Sequence, residues 1–174
     1  MFSRDGTHIA WTGTLKHNGK PLRQLRVSRV SGPPMLLMWN VNEIITGMAF
    51  PPDNRTVYLI SAQRVSRFDY RTGKSDWKRD QRIKGVTPWL SLSGDGKVLA
   101  VTAPGETVHL IDPETGLTQV ELRHPDGGQP RALALTPDGK RLAVLAEQQL
   151  QIWRLDRLPL MAPPVPPVAA GAGH

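Results

Sequence analysis

Four aspartates set the frame of this chain. Asp5, Asp53, Asp95 and Asp138 each sit in a short turn: Arg4-Asp5-Gly6, Pro52-Asp53-Asn54, Gly94-Asp95-Gly96 and Pro137-Asp138-Gly139. The steps between them are 48, 42 and 43 residues. A period of about 40–45 residues marks one supersecondary unit repeated along the chain, and units of that length stack so that neighbours bury each other's cores.

The surroundings of each turn repeat with it. Before it come Met48 and Phe50, Leu90 and Leu92, or Leu133 and Leu135; after it come Ile9 and Trp11, Val57 and Leu59, Leu99 and Val101, or Leu142 and Val144. An apolar residue at every second position predicts a strand with one buried face. Pro or Gly, then Asp, then Gly or Asn between two such runs predicts a tight hairpin, because Asp bonds its own backbone and Gly accepts positive φ. A third strand follows at a fixed offset. Val65–Asp69, Val108–Asp112 and Leu150–Arg154 align, and Asp69, Asp112 and Arg154 are 43 and 42 residues apart. Two of these strands run into Thr-Gly turns, Thr72-Gly73 and Thr115-Gly116. Two independent registers therefore report the same unit.

These motifs resemble the WD-repeat family. The resemblance rests on Leu133-Ala134-Leu135-Thr136-Pro137-Asp138-Gly139-Lys140-Arg141-Leu142-Ala143 followed by Ile152-Trp153-Arg154, and on Thr107-Val108-His109-Leu110-Ile111-Asp112 in the unit before; it covers residues 1–158. It implies an all-β chain: a β-propeller arc of about four four-stranded antiparallel blades, with the first and last incomplete. The blades would span residues 1–43, 44–86, 87–129 and 130–158. The sequence departs from the family in two places. No unit has Gly-His before its first strand, Arg123-His124 being the nearest match, and the Trp-Asp pair stands as Phe68-Asp69, Ile111-Asp112 and Trp153-Arg154. The family's buried Asp–His–Ser network is therefore expected to be partial or absent. Degenerate repeats of this kind are common in bacterial members.

The ends carry their own expectations. Only Met1–Ser3 precede the first turn, so the first strand of the first blade is short. The second hairpin of that blade is long and has Asn18-Gly19 at its tip, a strong two-residue turn signal. After Leu158 the chain turns to Pro, Ala and Gly, and residues 159–174 read as a disordered tail. Its Pro163-Pro164-Val165-Pro166-Pro167 run could serve as a polyproline ligand, but a plain terminus is the preferred reading. The expected ring is partial: the C-terminal part of a larger WD-repeat protein, completed by another chain, by self-association or by sequence upstream.

The chemistry-bearing residues exclude more than they offer. There is no cysteine, hence no disulfide, thiolate metal site or Cys nucleophile. No apolar run approaches the roughly 18 residues that span a membrane, and the first residues lack a signal-peptide core; a cytoplasmic protein is expected. No Gly-x-Ser-x-Gly or His-Glu-x-x-His motif occurs. His8, His17, His109, His124 and His174 are spread over different units and read as surface or loop residues. The four turn aspartates repeat for a backbone reason, so they read as turn residues and not as an acid/base or metal set. Gly73-Lys74-Ser75 lacks the first glycine of a phosphate loop and reads as a turn. Of the tryptophans, Trp11 and Trp153 fall at core-facing registers, Trp39 in an outer strand, and Trp77 and Trp89 beside basic residues. No enzyme activity and no cofactor or metal is expected.

Charge supplies the one sharp candidate. Residues 1–84 hold 15 Lys and Arg against 6 Asp and Glu, while residues 85–174 hold 7 against 9. Arg64, Arg67, Arg71, Lys74, Lys78, Arg79, Arg82 and Lys84 gather in the second unit around Trp77. Arg with aromatics can hold phosphates and stack bases. The leading expectation is a non-catalytic propeller scaffold that binds protein partners. The alternative is a nucleic-acid or anion-binding module that uses this basic unit. A third reading is an enzyme fragment whose site is split between this chain and missing blades.

Overall fold

The computed structural model describes residues 1–32, 36–41, 43–61, 64–75, 81–82, 89–103, 105–124 and 127–158. They form an all-β protein of four antiparallel sheets that follow one another along the chain. No α-helix occurs among the described residues.

The first sheet holds β1 (His8–His17), β2 (Lys20–Arg29) and β3 (Leu36–Asn40) in that order. Its long β1–β2 hairpin closes on Asn18 and Gly19, both at positive φ (51° and 74°), as the Asn-Gly signal requires. Ahead of β1, Phe2 bridges Ile9, and the Met1 and Ala10 backbones bond reciprocally. The second sheet holds β4 (Ile45–Ala49), β5 (Thr56–Ser61) and β6 (Arg64–Asp69). The outer edge of β6 is shared by two short strands, β7 (Lys74–Ser75) at one end and β8 (Gln81–Arg82) at the other. The third sheet is the most regular, with β9 (Leu90–Leu92), β10 (Leu99–Ala103), β11 (Thr107–Ile111) and β12 (Thr118–Arg123). The fourth holds β13 (Pro130–Leu135), β14 (Arg141–Ala146) and β15 (Gln149–Arg154), then a 3₁₀ turn at Leu155–Arg157. The expected tail, residues 159–174, lies outside the described residues.

The sheets pack face to face in chain order, which places the core between them. Ala10, Leu25 and Val27 of the first meet Phe50, Val57, Leu59 and Tyr70 of the second. Tyr58, Ile60 and Val65 on the other side of the second meet Leu99, Val101 and Ile111 of the third. Ala100, Val108, Leu110 and Leu122 of the third then meet Leu142, Val144 and Leu155 of the fourth. Burying a Val or Leu side chain of this kind contributes about 1.5–3 kcal/mol relative to exposure.

One sequence expectation changes here. Period two predicts strands with a single buried face, yet every residue of β5 and β10 is buried. Each of these strands has a sheet against both of its faces, so even Thr56 and Thr102 lie inside. Among the described residues β14 has a sheet against one face only, and it keeps the alternation, with Leu142, Val144 and Ala146 buried between more exposed residues.

The aspartate turns sit together where the sheets' first strands meet. Asn54 Nδ2 donates to Asp5 Oδ2 at 2.7 Å, and the Asp95 amide donates to the Pro137 carbonyl at 2.9 Å. Gly96 stands at φ +74°, and a Cβ there would lie 2.7 Å from Pro52 Cδ. Glycine at this position answers both the backbone angle and the neighbouring turn.

Candidate functional site

The turn aspartates are occupied by their own turns. Asp5, Asp95 and Asp138 each accept the backbone N–H two residues on, at 3.0–3.1 Å, and a hydroxyl two residues before, from Ser3, Ser93 and Thr136 at 2.6–2.7 Å. Asp53 lacks that hydroxyl and instead accepts from Arg55 N, Thr56 N and Thr56 Oγ1. The Ser3 hydroxyl and the Thr7 amide and hydroxyl hold Asp5 down at about 2. Asp95 and Asp138 are lowered first by their serine and threonine partners. At Asp53, burial pushes the carboxyl up, but the donors from Arg55, Arg67 and Thr56 outweigh it and the net shift is down. Carboxylates fixed in the charged form with their lone pairs engaged hold turns; they are poor proton donors.

Two of the eight predicted basic residues, Arg64 and Arg67, are tied up by the chain's own carboxylates. Arg64 Nε lies 3.0 Å from Glu43 Oε1. The Arg67 side chain is only 12% exposed; Nη2 meets Asp53 Oδ2 at 2.7 Å, Nε donates to Thr56 Oγ1 at 3.1 Å, and Nη1 reaches Glu114 at 3.5 Å. Arg71 and Lys74 are exposed. Arg82 lies in β8, with its backbone opposite Arg64. Trp77, Lys78, Arg79 and Lys84 lie outside the described residues. The basic set divides by cover: Arg67 points between sheets, where it ties the second sheet to the β11–β12 turn, while Lys74, on the same face but in the outer strand β7, is exposed.

The two end sheets present a different kind of surface. Leu150 in β15 occupies the register of Val108 in β11, yet Val108 is 1% exposed and Leu150 is 63% exposed. Leu145, directly across from Leu150, is exposed as well. This outward face of the fourth sheet repeats the face that the third sheet buries. At the other end, Phe2, Ile9, Trp11, Leu36 and Met38 share the outward face of the first sheet. Ile9 and Trp11 stand at the registers of Val57 and Leu59, which are buried. Trp11 is half-buried, not the core residue that its register predicts, because among the described residues no sheet lies against that side. Trp153, by contrast, packs into the core between the third and fourth sheets.

The histidines also depart from expectation. Only His17 is exposed among the described four; His8 and His124 are buried, and His109 is largely enclosed. Burial pushes the His109 imidazole down, against the pull of Glu121 3.6 Å away. Sequence gave one signal for His124, its place at the family's Gly-His position. Nothing at the level of sequence marked His8, whose amide bonds the Ser3 hydroxyl and whose ring touches Tyr70.

Among the described residues, no group of three or more His, Asp or Glu is placed to hold a metal ion. Among them, too, no helix is long and apolar enough to cross a membrane. No protein-family model matches the chain, and no curated protein matches it.

Proposed function

We propose that this chain is a section of a WD-type β-propeller that works as a non-catalytic scaffold for protein–protein interaction. Its four sheets are read as blades of a larger ring, the first and last incomplete. The period of the turns, the two repeated strand registers and the ordered stacking of the sheets support this reading. One observation carries it. Leu150 and Ile152 expose, on the last sheet, the apolar positions that Val108 and Leu110 bury on the sheet before. The occupant that fits such a face is a further sheet of the same repeat, offering the side that carries Leu142 and Val144 in the fourth sheet. The first sheet exposes the reciprocal side. Contacts of this head-to-tail kind close into rings or propagate, and uncovered sheet faces and edges favour association.

Size-exclusion chromatography with light scattering tests the proposal on the purified chain, beside a Leu150→Lys/Ile152→Lys variant. Concentration-dependent association that the variant abolishes, with unchanged strand content, is the expected result. A strict monomer at every concentration that unfolds cooperatively would mean the end faces need no cover, and the ring-section reading would fall.

A further inference from the structure

The first sheet carries an insertion that the other sheets lack. Thr12 pairs with Leu25 as Ile60 pairs with Val65, Thr102 with Val108 and Leu145 with Leu150. One residue beyond that rung, the chain turns back through residues 62–63 in the second sheet, 104–106 in the third and 147–148 in the fourth. In the first sheet the same place holds residues 14–23. They do not form a loop. The β1–β2 ladder runs on without a break through Thr14↔Arg23, Leu15↔Leu22 and Lys16↔Pro21 to His17↔Lys20. Leu15 and Leu22 face each other across it, a cross-strand apolar pair that steadies two strands. β3 pairs with Gln24–Ser28, and the Val41 amide donates to Arg23 O. Past that point, among the described residues, no strand pairs with either outer edge, and residues 14–21 are all exposed. At about 3.4 Å per residue the four added rungs make an arm about 14 Å long. It leaves the sheets at the end opposite the aspartate turns.

The charge of this arm is one-sided. From Gly6 to Asn42 the chain has no Asp or Glu, and it has Lys16, Lys20, Arg23, Arg26 and Arg29. Lys16 and Arg23 stand on one face of the ribbon, Lys20 on the other with His17. Glu43, which lines the same hollow as Arg23, is already bonded to Arg64 and the Ser61 hydroxyl. This separates the arm from the basic second sheet, where Arg67 and Arg64 are held by the chain's own carboxylates. An insertion in one unit of a repeat is a place where a binding surface is added to a scaffold.

We propose that the Thr14–Arg23 arm binds duplex DNA, entering the major groove as a two-stranded ribbon. The groove is about 12 Å wide and about 8.5 Å deep and admits such a ribbon. The arm is long enough to reach its floor while its base stays outside. Cations on both faces meet both flanking phosphate strands, and no carboxylate opposes them. The arm itself has no Phe, Tyr or Trp on which unpaired bases could stack, which favours duplex over single strand. This inference does not depend on the ring-section reading, since it uses the projecting arm and not the packed faces of the sheets.

The test is fluorescence anisotropy of the full chain with a labelled duplex DNA of about 20 base pairs, starting at about 50 mM salt. Saturable binding with a Kd on the order of 10 μM is expected, with the log of the association constant falling against log salt at a slope of about −2.7, as three neutralised phosphates require. Lys16→Ala/Lys20→Ala, two exposed positions, should weaken binding at least about tenfold and bring the slope to about −0.9. Arg71→Ala/Lys74→Ala, in the second sheet, should bind as the parent does. A single strand of the same length and a hexaglutamate peptide should each bind at least about tenfold more weakly than the duplex. No saturable binding at low salt would overturn the proposal, as would an arm variant that keeps the parent's affinity and slope. Equal affinity for the single strand would remove the groove, and equal affinity for hexaglutamate would make the arm a dock for acidic protein segments; either result overturns it too. Unchanged strand content by circular dichroism ties a loss in the arm variant to its charges and not to its fold.

Discussion

Leu110 and Ile152 hold the same register on consecutive sheets, each directly across from an alanine, Ala100 and Ala143, yet Leu110 is 1% exposed and Ile152 is 56% exposed. The difference lies in the neighbour and not in the residue. Leu110 has the fourth sheet against it; Ile152 has solvent. Leu110→Ala should therefore cost about 2–5 kcal/mol, the range for emptying a packed core position. Ile152→Ala should change the stability of the monomeric chain by no more than about 0.5 kcal/mol. Urea unfolding midpoints at a concentration where the chain is monomeric decide the matter. Equal losses at the two positions would mean that the Ile152 face is already covered.

Gly73 is held by two constraints at once. Its φ is +74°, in the Thr-Gly turn after β6, and a Cβ there would lie 2.3 Å from the Trp39 ring. That ring cannot easily move, being bonded to Tyr70 O and packed edge-on to Phe68. Gly73→Ala should destabilise by more than about 1 kcal/mol, since both backbone and side chain oppose it. Replacing Trp39 by Leu in the same chain should recover part of the loss, and a coupling above about 0.5 kcal/mol in the double-mutant cycle is expected. Strict additivity would show that the backbone angle alone sets the cost.

Arg67 belongs to the fold and not to an open basic surface. It joins Asp53 and Thr56 of its own sheet to Pro113 and Glu114 of the next. Arg67→Leu should cost about 1–3 kcal/mol, as charge-assisted hydrogen bonds are lost, whereas Lys74→Ala should stay within about 0.5 kcal/mol. Thermal unfolding of the two variants separates these outcomes. If Arg67→Leu kept full stability while lowering affinity for a single-stranded oligonucleotide at low salt, the basic unit would be an anion site after all.

The repeat was legible because its signals are local. Asp, Gly and Pro at the turns act on their own backbone, and alternation acts along one strand, so turns and strands could be placed from Asp95 and Leu99 alone. What sequence could not give was which side of each strand would be covered. Thr102 and Leu150 look unremarkable in sequence; their burial is reversed from what polarity suggests because it depends on whether another sheet stands beside them. The basic candidates divide in the same way: Arg67 and Lys74 are equivalent as charges and share one face of the second sheet, yet Arg67 is covered by the third sheet while Lys74, in the outer strand, is exposed.

Acid should unfold this protein through its turns. Asp5 falls from 3.8 to about 2 in the folded chain, and Asp53, Asp69, Asp95 and Asp138 are also lowered. A carboxylate with a depressed folded pKa adds stability that is fully present above its unfolded value and is lost as pH falls through the folded one. The contribution of these carboxylates to the urea midpoint should therefore hold level from neutral pH down toward the unfolded aspartate value. It should drop between there and the folded value of about 2. Asp5→Asn removes one titrating group while keeping an oxygen acceptor for the Thr7 amide. Its midpoint should start below that of the parent near neutral pH and converge with it near pH 2, where Asp5 is becoming protonated. Parallel curves for parent and variant across that window would show that Asp5 contributes through its geometry alone, with no linkage to its charge.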